Sequence, residues 1–105
     1  MVDERRIAKL SERIAREFQP ERIILFGSYA YGLPEEGSDV DLLVILTFEG
    51  QGFWKSLEIL NRLSPDFPVD LLARKPGDTQ RRYMEGDPLI REALDNGQVL
   101  YERDR

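Results

Sequence analysis

The sequence predicts an α/β or α+β domain, because helical and extended segments alternate along the chain. Two patterns carry that prediction. Apolar residues recur at spacings of three and four in some segments and form short, β-branched runs in others. A third observation bounds the size. At 105 residues, 41% of them hydrophobic, the chain suits a single domain over residues 1–105. A chain of that mass buries about two-thirds of its unfolded surface, enough for a core without covalent staples. No repeat, low-complexity tract or Ser/Gly/Pro-rich linker divides it. The alternation leaves open whether the sheet is parallel or mixed.

Ile7, Leu10, Ile14 and Phe18 share one face of a helix over 3–18, with charged residues on the others, and Pro20 closes it. The run Arg22 to Phe26 is apolar and ends at Gly27, which predicts a buried strand. Ser28 suits the N-cap of a short helix through Ala30 and Tyr31. Gly32, Pro34 and Gly37 then mark a loop over 32–38, and 39–47 forms a second strand, apolar on both faces except at its start. Phe53, Trp54, Leu57, Leu60 and Leu63 fall at helical spacing over 53–63, with the first three expected in the core or an interface. Pro65 and Pro68 bound a turn before a third strand over 69–74. Residues 75–87 are charged and partly helical around Gln80 to Met84. Pro88 opens a helix over 88–95, Gly97 stops it, and Val99 to Tyr101 form a last short strand.

Composition removes whole classes of chemistry. The chain has no cysteine and no histidine, so it has no thiolate nucleophile, no Ser-His-Asp triad and no imidazole base. What remains is carboxylates, hydroxyls, Lys, Arg, Tyr, or a hard metal held by oxygen. With 15 basic against 20 acidic residues the net charge is −5, which argues against general nucleic-acid binding. No stretch approaches the roughly 20 apolar residues of a membrane span. The start Met1-Val2-Asp3-Glu4 reads as neither secretory signal nor transit peptide. The expected location is cytoplasmic.

Asp39 and Asp41 sit two apart at the head of an otherwise unbroken apolar run. At strand periodicity both point to one side, with Val40, Leu42 and Val44 on the other. Two like charges beside buried residues repel, and the cost falls if a cation lies between them or one is protonated. Mg²⁺ suits such a pair, since it takes oxygen ligands and commonly uses one or two carboxylates with substrate phosphates. Asp70 repeats the anomaly inside Val69-Asp70-Leu71-Leu72-Ala73. If the two strands are neighbours, three carboxylates meet at one spot. The plainer reading makes Asp39 a solvated cap, Asp41 an exposed edge residue and Asp70 the partner of Arg74. Gly27-Ser28 offers the complement, a strand end where backbone can approach an anion closely and a hydroxyl can donate.

The stretch Leu25-Phe26-Gly27-Ser28-Tyr29-Ala30-Tyr31-Gly32, followed by Ser38-Asp39-Val40-Asp41-Leu42-Leu43-Val44, resembles the G-S-x10-D-x-D signature of the DNA polymerase β-like nucleotidyltransferases. More narrowly, the chain is similar throughout its length to the minimal nucleotidyltransferases, the MNT domains. That resemblance implies an α+β nucleotidyltransferase fold, a mixed sheet of three to five strands flanked by helices. It assigns Gly27 and Ser28 to nucleotide phosphates, Asp39 and Asp41 to Mg²⁺, and Asp70 to a third metal-linked carboxylate that activates the acceptor. It implies a two-ion Mg²⁺ site with ATP as substrate.

MNT domains are similar to one half of two-gene modules whose other half is a small helical HEPN protein. The resemblance therefore implies an antitoxin that transfers AMP to a tyrosine hydroxyl of a HEPN toxin. Two alternatives stand beside it: a non-catalytic antitoxin that acts by binding, and a small-molecule nucleotidyltransferase subunit of the antibiotic-modifying kind. Many relatives carry Arg where this chain has Tyr31. Arg74, Lys75, Arg81 and Arg82 form the densest basic patch, read either as solvated loop or as a contact for phosphates or an acidic partner.

Overall fold

A computed structural model describes residues 1–104. The elements run α1 (Glu4–Phe18), β1 (Arg22–Phe26), β2 (Val40–Ile45), α2 (Gly52–Leu63), β3 (Val69–Arg74), α3 (Pro76–Met84), α4 (Pro88–Asn96) and β4 (Gln98–Glu102). The strands form one mixed sheet in the order β3-β2-β1-β4. β1 is antiparallel to β2 and β4, and β2 is parallel to β3. The fold is thus α+β, as expected.

Each face of the sheet is covered by helices. Ile7, Leu10 and Ile14 of α1 and Ile59 and Leu63 of α2 pack on Ile23, Leu25, Val40, Leu42, Val44 and Leu71. On the opposite face Ile90 and Ala93 of α4 pack on Ile24, Phe26, Leu43 and Ile45, with Tyr83 of α3 alongside. β2 lies between two other strands and is apolar toward both layers, which explains its continuous hydrophobic run. Each such aliphatic side chain contributes about 1.5–3 kcal/mol by leaving water. Local chemistry sets the helix ends. Asp3 accepts the Arg6 N–H at the start of α1, and Asp87 accepts the N–H groups of Leu89 and Ile90 at the start of α4.

Four expectations change. Residues 28–32 are a turn rather than a helix, because the Ala30 N–H bonds the Gly27 carbonyl and the Leu33 N–H the Ser28 carbonyl. Four residues between two glycines are too few to nucleate a helix. Phe53 and Trp54 are 61% and 64% exposed, and Leu57 is 37% exposed, so none belongs to the core. The buried stripe of α2 is instead Ser56, Ile59 and Leu63. Arg81 and Arg82 stand on helix α3 and pair with Asp78, Glu85 and Asp87, which removes them as a free basic patch. Finally, Arg74 does not pair with Asp70; its guanidinium donates to the Ala73 carbonyl at 3.0 Å. Residues four apart on a strand are about 13 Å apart, too far for an ion pair. Among the described residues no helix is long and apolar enough to cross a membrane.

Packing is close where α4 returns to β4. A Cβ added at Gly97 would stand 2.3 Å from the Ala93 carbonyl oxygen, 2.6 Å from Ile24 Cγ2 and 2.9 Å from the Leu25 carbonyl oxygen. Gly97→Ala should therefore lower stability by about 1–3 kcal/mol. Urea unfolding reads this directly, and an unchanged midpoint would show that the α4–β4 junction has slack.

Candidate active site

The sheet registers bring the acids together. β1 ends at Phe26, whose antiparallel partner is Asp41, and in the parallel ladder Asp41 lies opposite Asp70. Neighbouring strands are about 4.8 Å apart, so these two carboxylates leave adjacent positions of the same face. That face is dictated by the core. Val40 and Leu42 pack into the α1–α2 layer, as does Leu71, so period-two alternation turns Asp39, Asp41 and Asp70 the other way. Asp39 and Asp70 are exposed and Asp41 is partly buried.

Gly27 completes the arrangement from β1. Its φ of +74° is in the left-handed region, and a Cβ there would stand 2.1 Å from Asp41 Oδ2. The carboxylate of Asp41 thus occupies the space that any side chain at 27 would fill. Ser28 begins the turn that follows. The turn contains two tyrosines with different roles. Tyr29 accepts the Val2 N–H and packs against the α1–α2 core. Tyr31 is exposed and lies near the Glu92 carboxylate of α4. Loss of solvent contact and then the Glu92 carboxylate raise the Tyr31 phenol above its usual range.

Burial comes first among the causes that push the Asp41 carboxyl up to about 6, followed by the charges of Asp70, Asp39 and Glu92. The third of those acids, Glu92, is not singled out by the sequence. It sits among ordinary charged residues on the polar side of an amphipathic helix, and only the packing of α4 on the sheet carries it to the acid end. Among the described residues no three acidic side chains are arranged as a ready ligand set for a metal ion. The donors nevertheless fit a hard divalent cation. They are carboxylate oxygens at register-neighbouring positions, held against mutual repulsion, and two of the three are exposed and able to rotate.

Two consequences can be measured. The raised pKa means that native Asp41 binds a proton between about pH 4 and 6 that the unfolded chain, with its carboxyl near 3.8, has lost. Stability from this group is therefore lost as pH rises through that window. In chelator, Asp41→Asn should exceed wild type above pH 6 by on the order of 1 kcal/mol, because solvent screens a partly exposed carboxylate. The two should converge below about pH 4; curves that stay parallel across the range would contradict the assignment. Gly27→Ala should displace the Asp41 carboxylate, and with it abolish the Mg²⁺-induced shift expected for the Asp41 carboxyl carbon resonance of the wild-type protein. Retention of that shift in a folded Gly27→Ala protein would show that Asp41 does not need the gap at 27.

Comparison with other proteins agrees with this fold. No curated protein sequence matches the chain. Among solved structures, a protein from Sulfolobus solfataricus assigned as a nucleotidyltransferase superposes with a TM-score of 0.66 at 19% identity, covering 94% of this chain and 79% of its own. A mutant of the toxin-antitoxin MntA-HpeT gives 0.62 at 23% identity, covering 98% of this chain and 76% of its own. A toxin-antitoxin with AMP-PNP gives 0.58 at 24% identity over the same shares. At such identities the likeness is one of fold. The family model described as nucleotidyltransferase domain matches residues 7–100, a span that holds the whole sheet up to Leu100 together with Gly27, Asp39, Asp41 and Asp70. By that match the chain belongs to the nucleotidyltransferase domain family.

Proposed function

We propose that this chain is a single minimal nucleotidyltransferase domain that moves AMP from ATP to a tyrosine hydroxyl of a small helical HEPN-type partner, as the antitoxin of a toxin-antitoxin pair in the cytoplasm. The observation that carries the reading is the convergence of Asp39, Asp41 and Asp70 on one face, with Gly27 cleared against Asp41. Toxin-antitoxin complexes share the fold, and one of them holds AMP-PNP.

In this reading Asp39, Asp41 and Asp70 would hold Mg²⁺, as two ions. Bound there, Mg²⁺ supplies charge neutralisation for the triphosphate and for the pyrophosphate that leaves. The protein does the rest by placement. The turn at Gly27 and Ser28 receives the distal phosphates through backbone N–H groups and the Ser28 hydroxyl. The acceptor oxygen forms a bond to the α-phosphorus as the bond to pyrophosphate breaks. Asp70, the outermost of the three on β3, takes the hydroxyl proton. A chain without histidine can run this chemistry because carboxylates carry both the proton and the charge.

One observation favours a second reading. Tyr31 stands where many relatives carry Arg, and it sits near the acid Glu92 and presents no cation to phosphates. A domain that neutralises its partner by binding alone is consistent with that exchange. Labelled ATP, Mg²⁺ and the protein encoded by the adjacent gene distinguish the two. Label should move to the partner's tyrosine, and Asp39→Asn with Asp41→Asn should abolish transfer while the two proteins still associate. Should the double variant neutralise the partner as well as wild type does, the antitoxin acts by binding and the catalytic reading falls.

A further inference from the structure

Arg81 and Arg82 are paired with acids, but their neighbours Arg74 and Lys75 form no ion pair among the described residues. Each is nevertheless held in place. The Arg74 guanidinium donates to the Ala73 carbonyl and lies against the first residue of α2, where a Cβ added at Gly52 would stand 3.0 Å from its Nη1. Lys75 Nζ lies 5.2 Å from the centre of the Phe48 ring. The start of a helix repels a cation, and α2 has neither an acid in its first turn nor a side-chain cap to offset Arg74. A groove of about 440 Å³ joins Arg74 and Lys75 to Phe53, and the acid lining it, Asp78, is already bonded by Arg81 and Arg82. In a chain of net charge −5, this is a local excess of positive charge that the fold leaves unneutralised.

Apolar surface adjoins these cations. Phe53 and Trp54 stand edge-on to each other at 5.0 Å between ring centres, and both are exposed. Leu57, one turn further along α2, is exposed as well. Single exposed apolar residues are ordinary, but aromatic rings grouped beside an arginine have the composition of a protein interface. A second groove, of about 310 Å³, shares Phe53 and Arg74 with the first and runs past Leu57 to Asp70. The surface therefore ends at the acids.

We infer that this surface docks a partner protein through an acidic segment, whose carboxylates pair with Arg74 and Lys75 while its apolar side chains cover Phe53, Trp54 and Leu57. Charge complementarity selects a polypeptide that is acidic where it meets the end of β3 and apolar where it meets α2. A phosphate or a nucleic acid would meet the cations but leave the apolar surface in water, and the net negative charge of the chain repels a polyanion. The contacts are made by side chains, since the Ala73 peptide is already closed by Ser56 and Arg74. A protein seated here continues along the second groove to Asp70. That it is the acceptor of AMP rests on the transfer reading above; the docking itself does not.

The test titrates the full chain, isotope-labelled, with two probes: the protein encoded by the adjacent gene, and the capped peptide acetyl-Asp-Leu-Glu-Leu-Asp-amide. Resonance shifts should centre on Phe53, Trp54, Arg74 and Lys75, and the uncharged peptide acetyl-Asn-Leu-Gln-Leu-Asn-amide should not reproduce them. Lys75→Glu and Trp54→Ser should each weaken association with the partner by about tenfold, and Trp54→Ser decides the matter if Lys75→Glu misfolds. Added salt should weaken association, less steeply in Lys75→Glu than in wild type. Shifts elsewhere, binding of neither probe, association indifferent to both variants, or the same shifts with inorganic phosphate would overturn the inference. So would self-association of the chain that both variants disperse, since a second copy would then be the occupant. Association weakened by the variants without any label transfer would sink the transfer reading and leave the docking surface. Transfer undiminished in both variants at limiting partner would sink the docking surface alone.

Discussion

The constraint on which the rest of this structure depends is the two-residue period of β2, held between an antiparallel neighbour and a parallel one. Val40, Leu42 and Val44 must face the α1–α2 layer to bury their side chains. Once they do, Asp39 and Asp41 have only the other face to occupy. The parallel register then sets Asp70 opposite Asp41, and the antiparallel register sets the end of β1, and hence Gly27, beside it. A one-residue slip in either ladder would bury acids and expose core. The hydrophobic effect that stabilises the sheet is thus also what aligns the carboxylates.

That alignment is costly to the folded chain taken alone. Asp41 is partly buried among Asp70, Asp39 and Glu92, and its carboxyl is held well above the normal range. Such concentrations of like charge are typical of sites whose strain a ligand relieves. The acids also stand at an open end of the sheet, where Asp39, Asp70, Tyr31 and Glu92 are exposed. Nothing in the described fold rises over them to wall off an acceptor. Beside them the aromatic end of α2 is uncovered at Phe53 and Trp54. Stability is concentrated at the other side of the same strands, in the two apolar layers.

Much of this was legible because the informative residues contradict their surroundings. A carboxylate within an apolar strand is unusual enough to be noticed at Asp39, Asp41 and Asp70, and the strand boundaries at 22–26 and 69–74 follow from turn residues on either side. The turn after Ser28 was misread because Ser is as good a turn residue as a helix cap, and capping propensity cannot count the residues available before Gly32. The core alternative for Phe53 and Trp54 fails because helical spacing shows which residues share a face but not which face meets the sheet. Glu92 was invisible for a related reason, since an acid on the polar side of a helix is ordinary until the helix is docked.

By itself, the sequence determined the classes of chemistry open to this protein, the order of its elements, and the faces of its strands. These follow from residue type and period, which are local properties. Only the tertiary structure decided which strands are neighbours, that β2 and β3 run parallel, that Glu92 joins the acids, and that the apolar end of α2 stays uncovered beside a sheet edge. Each of those depends on pairings between residues far apart in the chain, and no local pattern encodes a partner.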